Sequence, residues 1–298
     1  MQRSSRRTML LSTAATAALA TLGAPSRAIE PFKRAVPGHL RLSLAAYSLR
    51  ELLTKKESGW DLFKFVDYCR EQGLTGAELT SYYFPNDVTH EYLVELKQHC
   101  HRQGVTISGG AIRNDFCQMD SKKIEDDIEH TKLWVDRYAI LGAPAIRIFA
   151  GNQPAKDSWE STVTRCVQAC ETACRYAHQK GIYLALENHG GVTAKATGLL
   201  EIVRKVNAKS FGINFDSGNF RSTSDPYAEL EQIAPYAVNA QIKVEVAPDG
   251  KKQEADLARI IQILKRAGYS GWVALEYEEK APPLEAIPKW LNELKKLV

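Results

Sequence analysis

The six cysteines include no Cys-x-x-Cys pair and no Cys/His spacing of a zinc site, so neither a disulfide framework nor a zinc knuckle has support. Cys166, Cys170 and Cys174 recur at i, i+4 and i+8 on one helix face, where they read as small apolar packing residues with free thiols. Beyond residue 28 no stretch is long and apolar enough to span a membrane. The chain has no glycine-rich loop suited to cradling a phosphate, and no internal repeat, low-complexity tract or interdomain linker. Its 39 Lys and Arg against 35 Asp and Glu leave a formal charge of +4, too little for a surface that neutralises many nucleic-acid phosphates. What is present is ordinary: 298 residues, 44% hydrophobic and 25% charged. That is enough for one large barrel or two smaller domains, with a core that needs no disulfides.

The little basicity there is belongs to the N-terminus. Residues 1–28 carry Arg3, Arg6, Arg7 and Arg27 and no acid, so the remaining 35 basic residues balance 35 acidic ones. Ser5-Arg6-Arg7-Thr8-Met9-Leu10-Leu11, an Ala-rich apolar stretch to Leu22, and Ser26-Arg27-Ala28 follow in the order of charge, apolar run and cleavage site. This resembles a bacterial twin-arginine signal; the plainer alternative is a basic tail or a short anchor. The resemblance implies export to the periplasm by the twin-arginine machinery, with a mature chain starting near Ile29. Substrates of that route cross already folded, so the thiols meet a reducing cytoplasm first. The expected organisation is a signal over residues 1–28, a linker over 29–37 and one domain over 38–298.

From residue 38 onward, short apolar runs alternate with amphipathic segments. Strands are expected at Leu40–Tyr47, Gly76–Thr80, Val105–Gly109, Ala145–Phe149, Ile182–Glu187, Phe211–Asp216, Val238–Lys243 and Trp272–Tyr277. Helices are expected at Trp60–Gln72, Tyr92–Gln103, Lys122–Leu141, Ser158–Lys180, Leu199–Val206, Ala228–Ile233, Glu254–Ala267 and Leu284–Leu297. Several close on a glycine just before the next strand, as in "RQGVTI" and "QKGIYL", where a left-handed cap is expected. Eight βα units predict an α/β fold, a (β/α)8 TIM barrel.

In such a barrel alternate strand residues point inward, and the C-terminal strand ends line the site. Strand five ends in Glu187 with His189 in the same parity, and strand six ends in Asp216 with Asn219 beyond. Strand seven offers Gln241, Lys243 and Glu245, strand eight Glu276 and Glu278, strand two Glu78, and strand four Arg147. Any one of these acids is most simply a solvated loop charge. Together at one mouth they would repel each other, a conflict that a divalent cation resolves. His189 is open between orienting Glu187, contacting substrate and filling the wall. Lys243 is open between stabilising an oxyanion and pairing with Glu245 or another mouth acid. His90, His99, His101, His130 and His178 fall in helical segments and read as surface residues.

"LALENHGG", "INFDSGN", "QIKVEV" and "GYSGWVALEYE", in this order, resemble the sugar phosphate isomerase/epimerase family of xylose isomerase-like barrels. The resemblance spans the chain after the signal. It implies one metal held by Glu, Asp, His and Glu from strands five to eight, carried over here as Glu187, Asp216, Gln241 and Glu276. Gln241 stands where the family's His usually is, and a neutral amide oxygen favours Mn²⁺ or Mg²⁺ over Zn²⁺. Asn219 stands where many family epimerases contact substrate with a His.

The implied reaction is proton transfer next to a sugar carbonyl through an enediolate, with Glu187 and Glu276 exchanging the proton. Glu78, Arg147, His189, Asn219 and Lys243 are the expected substrate contacts. Export and the missing phosphate cradle point to an unphosphorylated sugar or keto-sugar. The rivals are a lyase or hydratase cleaving 3-keto-glycosides by β-elimination, and a non-catalytic sugar-binding barrel. A DNA-repair relative of this fold needs more metal ligands and a cationic face, so no nucleic-acid partner is expected. The sequence is compatible with a homo-oligomer and leaves the sugar undefined.

Overall fold

The structure, a computed structural model, describes residues 29–34 and 38–298. The expected export signal, residues 1–28, lies outside the described residues, as do residues 35–37 of the expected linker. Eight parallel strands close into a barrel: β1 (Leu40–Ala45), β2 (Gly76–Thr80), β3 (Thr106–Ala111), β4 (Ala145–Ile148), β5 (Tyr183–Glu187), β6 (Phe211–Asp216), β7 (Ala237–Ile242) and β10 (Gly271–Leu275). Between β7 and β10 lies an antiparallel pair, β8 (Glu245–Val246) and β9 (Gln253–Glu254), that the periodicity does not predict. It is two residues per strand, too short for an alternation to register.

Outside the barrel run α1 (Arg50–Thr54), α2 (Leu62–Glu71), α3 (His90–Gln103), α4 (Ser121–Leu141), α5 (Trp159–Gln179), α6 (Ala196–Lys205), α7 (Pro226–Ile233), α8 (Leu257–Arg266) and α9 (Pro283–Lys295). Side chains of Asp61, Thr89, Asp120, Ser158, Asp225 and Asp256 accept from the first free amides of their helices. Each such cap contributes about 1 kcal/mol. The expected glycine cap is present at Gly104, which takes the left-handed conformation (φ 67°) after α3. Inward faces are apolar: α8 buries Leu257, Ile260, Ile261, Ile263 and Leu264 against the sheet. Each side chain so buried contributes about 1.5–3 kcal/mol. The row Cys166, Cys170 and Cys174 is part of the buried face of α5, and all six cysteines are buried free thiols.

One close approach fixes the ends of β2 and β3. A side chain at Gly110 would run into the Tyr138 ring at 2.5 Å, so only glycine lets α4 seat that ring on β3. The Tyr138 hydroxyl then donates to the Leu79 carbonyl at 2.9 Å. Part of the expected linker is tied down: the Phe32 amide donates to the Pro235 carbonyl (3.0 Å), and Arg34 to that of Ala237 (2.9 Å).

Register sets the heights of the inward residues. Glu187 lies level with Asn214, while Asp216, Gln241 and Ala274 share a level above it. Lys243 and Glu276, two residues further along their strands, rise one inward step higher.

Candidate functional site: the C-terminal mouth of the barrel

Beneath the mouth, side chains from β2, β6 and β7 close a polar ring. Asn239 donates to Glu78 Oε2 (2.7 Å) and to Asn214 Oδ1 (2.8 Å). Asn214 donates to Gln241 Oε1 (2.6 Å), and Gln241 donates back to Glu78 Oε1 (2.5 Å). All four are buried, and Glu78 has no exposed surface. Burial pushes the Glu78 carboxyl up to about 7, although the Asn239 and Gln241 donors pull the other way. Glu78 has both its oxygens engaged in this ring and does not line the cavity above it. Gln241 turns its amide down into this ring, where both of its polar atoms are used.

Above the ring is the mouth, a cavity of about 140 Å³ lined by Tyr47, Tyr82, Arg113, Arg147, Phe149, Glu187, His189, Lys243, Glu276 and Glu278. Five of the expected site residues, Arg147, Glu187, His189, Lys243 and Glu276, therefore meet. Glu187 is held on both oxygens, by Asn219 on Oε1 (2.8 Å) and by Arg147 Nε at Oε2 (2.9 Å). Asn188, which the sequence did not single out, locks the neighbouring strand: it donates to the Asp216 carbonyl and accepts from the Asp216 amide, both at 2.9 Å. The Arg147 guanidinium lies 3.9 Å over the Phe149 ring, and the His189 ring packs tilted against that same ring with centroids 4.3 Å apart.

Lys243 is the centre of charge. Its ammonium stands 2.6 Å from Glu276, 2.9 Å from Glu278 and 3.4 Å from Asp216. Its partners are thus the mouth acids and not Glu245, which pairs with Lys252 on the outer hairpin at 2.9 Å. Burial would lower the pKa of Lys243, but the surrounding carboxylates outweigh that and raise it well above its ordinary value. Burial would raise Glu276; the adjacent ammonium outweighs it and holds Glu276 below the usual range. Glu187 goes the other way: burial, with the charges of Asp216 and Glu276, raises it well above that range against the pull of Arg147. His189 is lowered by desolvation and by the Arg147 and Lys243 cations, so its imidazole is neutral at pH 7.

The four residues carried over as metal ligands do not form a fitting donor set. The Gln241 oxygen accepts from Asn214, both Glu187 oxygens are engaged, and Glu276 and Asp216 face an ammonium. Asp216 Oδ2 is buried without a hydrogen bond, and it faces the Lys243 ammonium at 3.4 Å. Among the described residues no three His, Cys, Asp or Glu side chains are placed to hold a metal ion together.

Tyr47, Tyr82, Arg113 and Phe149 also line the mouth without having been chosen from the sequence, and Glu278, placed there by its parity but given no role, lines it too. Phe149 shares the parity of Arg147 and Glu278 that of Glu276, while Tyr82 and Arg113 stand two residues past the ends of β2 and β3. All lie one to three residues past a strand end. A second cavity of about 290 Å³ shares Arg113, Phe149 and His189 with the mouth and runs along Asn114, Asp115, Asn152 and Gly191. The largest cleft, about 1060 Å³, lies elsewhere, between the β8–β9 hairpin and α9, and none of Glu187, Lys243 or Glu276 lines it. None of the helical-segment histidines reaches the mouth; His99 pairs with Asp67 (2.6 Å) and His178 with Ser210 (2.9 Å).

No helix among the described residues is long and apolar enough to cross a membrane. No curated protein sequence matches the chain. Solved structures do. The IolI protein, crystallised with a zinc atom, superposes with a TM-score of 0.71 at 20% identity, covering 87% of this chain and 99% of that one. The 3-keto-D-glucoside 4-epimerase YcjR of E. coli gives 0.69 at 12% identity, covering 87% and 100%. A xylose isomerase domain protein of Planctomyces limnophilus gives 0.63 at 19%, covering 78% and 90%. Residues 66–296 match the family described as the xylose isomerase-like TIM barrel, and with its closed eight-stranded parallel barrel the chain belongs to that family.

Proposed function

We propose that the mouth moves a proton at the carbon next to the carbonyl of an unphosphorylated sugar or keto-sugar, making the protein an isomerase or epimerase. The observation that carries this is the pairing of two buried carboxyls, Glu187 and Glu276, whose surroundings drive their pKa values apart within one cavity. Such a split provides an acid and a base at the same pH. Glu276, ionised beside Lys243, takes the proton; Glu187, carrying one, returns it to the other carbon or the other face. Negative charge that develops on the substrate oxygen lies between Arg147 and Lys243, two cations already fixed by their partners, so little reorganisation is needed. His189 and Phe149 form the wall against which a sugar ring rests.

Membership of a family whose neighbours include named sugar epimerases supports this function. Both buried cations of the mouth, Arg147 and Lys243, are engaged by carboxylates, which supports an unphosphorylated substrate; the exposed Arg113 at its rim stacks on Tyr82. The N-terminal motif supports a periplasmic site of action. A β-elimination on 3-keto-glycosides is the second reading, favoured by the 290 Å³ cavity that adjoins the mouth and offers room for an aglycone. A sugar-binding barrel without turnover is the third.

Incubation with a panel of free and 3-keto sugars in D2O, followed by NMR, separates these. Deuterium entering a ring-intact isomer is expected, and Glu187→Gln or Glu276→Gln should each lower its rate by about 10²–10⁴-fold. Released aglycone would point to elimination, and binding without exchange would leave a carbohydrate receptor.

A further inference from the structure

We infer that Lys243 occupies the position of the divalent cation, so that this barrel mouth is a metal-free site neutralised by its own ammonium group. A lysine has three N–H donors, and here three carboxylates, those of Asp216, Glu276 and Glu278, stand around Nζ at 2.6–3.4 Å. An ion bound by the same oxygens at about 2.0–2.6 Å would share its volume with that ammonium. Two like-charged cations a few ångströms apart repel strongly, so one must leave. Lys243 is only 7% exposed, which leaves it no solvated alternative without breaking all three contacts.

The chain is also shaped for this lysine. Its amide donates to Ser217 Oγ at 2.8 Å, anchoring the residue beside the end of β6. At Gly218 any side chain would meet the lysine stem, with Cδ 2.7 Å and Cβ 2.9 Å away. The Glu245 carbonyl oxygen stands 2.8 Å from the same point, so the glycine of "DSGN" clears both the lysine stem and the backbone that follows it. The remaining position of a ligand set is removed as well, because Gln241 is turned into the ring with Glu78 and Asn214. Three separate features, the ammonium contacts, the cleared stem and the withdrawn amide, agree on one arrangement. The inference concerns binding and holds whether or not the mouth catalyses proton transfer.

The test is calorimetric titration of EDTA-treated protein with MnCl₂ and with ZnCl₂, alongside thermal melts with and without each ion. Wild type is expected to show no saturable site up to about 1 mM and no shift in Tm on chelation. Lys243→Ala vacates the volume and leaves Asp216, Glu276 and Glu278 uncompensated. It should gain one Mn²⁺ site at least about tenfold tighter than any in wild type, with Tm raised by the ion. One equivalent of tightly bound metal in wild type, weakened by Glu276→Gln, overturns the inference, as does a folded Lys243→Ala variant that binds no ion. If that variant does not fold, the wild-type titration decides alone. A failed sugar screen leaves these outcomes untouched, since none of them reads turnover.

Discussion

Replacing Glu78 by Gln tests the ring beneath the mouth, and its signature is a change in pH dependence. The Glu78 carboxyl is raised from about 4.5 to about 7, chiefly because burial strips it of water that its two amide donors, Asn239 and Gln241, do not replace. Its folded-state pKa is therefore above its unfolded one. Below pH 4.5 the group is protonated in both states and has no pH effect. Between 4.5 and 7 the folded protein keeps a proton that the unfolded chain has released, so stability falls as pH rises; above 7 the loss is complete. A shift of this size is worth about 3 kcal/mol, at about 1.4 kcal/mol per unit. Glu78→Gln resembles the protonated form and removes the titration. It also rearranges donors in the ring, which adds a constant offset of either sign. The informative quantity is thus the stability difference between variant and wild type, measured by urea unfolding at pH 4.5, 6.0 and 7.5. The buried Trp134 and Trp272 give a fluorescence signal. The difference should move in favour of the variant by about 3 kcal/mol across that interval. A difference that stays flat would falsify the assignment and show that Glu78 is ionised in the fold throughout.

Two further outcomes follow from the same geometry and from the N-terminus. Gln241→Leu leaves Glu78 Oε1 and Asn214 Nδ2 without partners, so chemical denaturation should show a loss of about 2–5 kcal/mol; an unchanged midpoint would mean that the ring contributes nothing. Replacing Arg6 and Arg7 together by Lys should hold full-length protein in the cytoplasm, and fractionation that finds it still exported would remove the twin-arginine route.

Much of the architecture is legible in the chain because it is local. Apolar runs of four to eight residues alternating with amphipathic helices specify βα units, and eight of them close only as a barrel. The caps at Asp61, Thr89 and Asp256 and the glycine turn at Gly104 are likewise short-range events. Period-two alternation tells which residues of β4, β5, β7 and β10 face inward, which is why Arg147, Glu187, Lys243 and Glu276 are found together. It does not tell at what height each stands. Height depends on the stagger between neighbouring strands, a property of the closed sheet. Glu78 and Gln241 have the right parity, yet their polar atoms are spent in the ring below the mouth: the register sets Gln241 level with Asp216, and its hydrogen bonds with Glu78 and Asn214 turn its amide down. The same holds for Lys243. Its charge is visible in "QIKVEV", but its three carboxylate partners come from β6 and from the segment after β10, brought within 3.4 Å by tertiary packing alone.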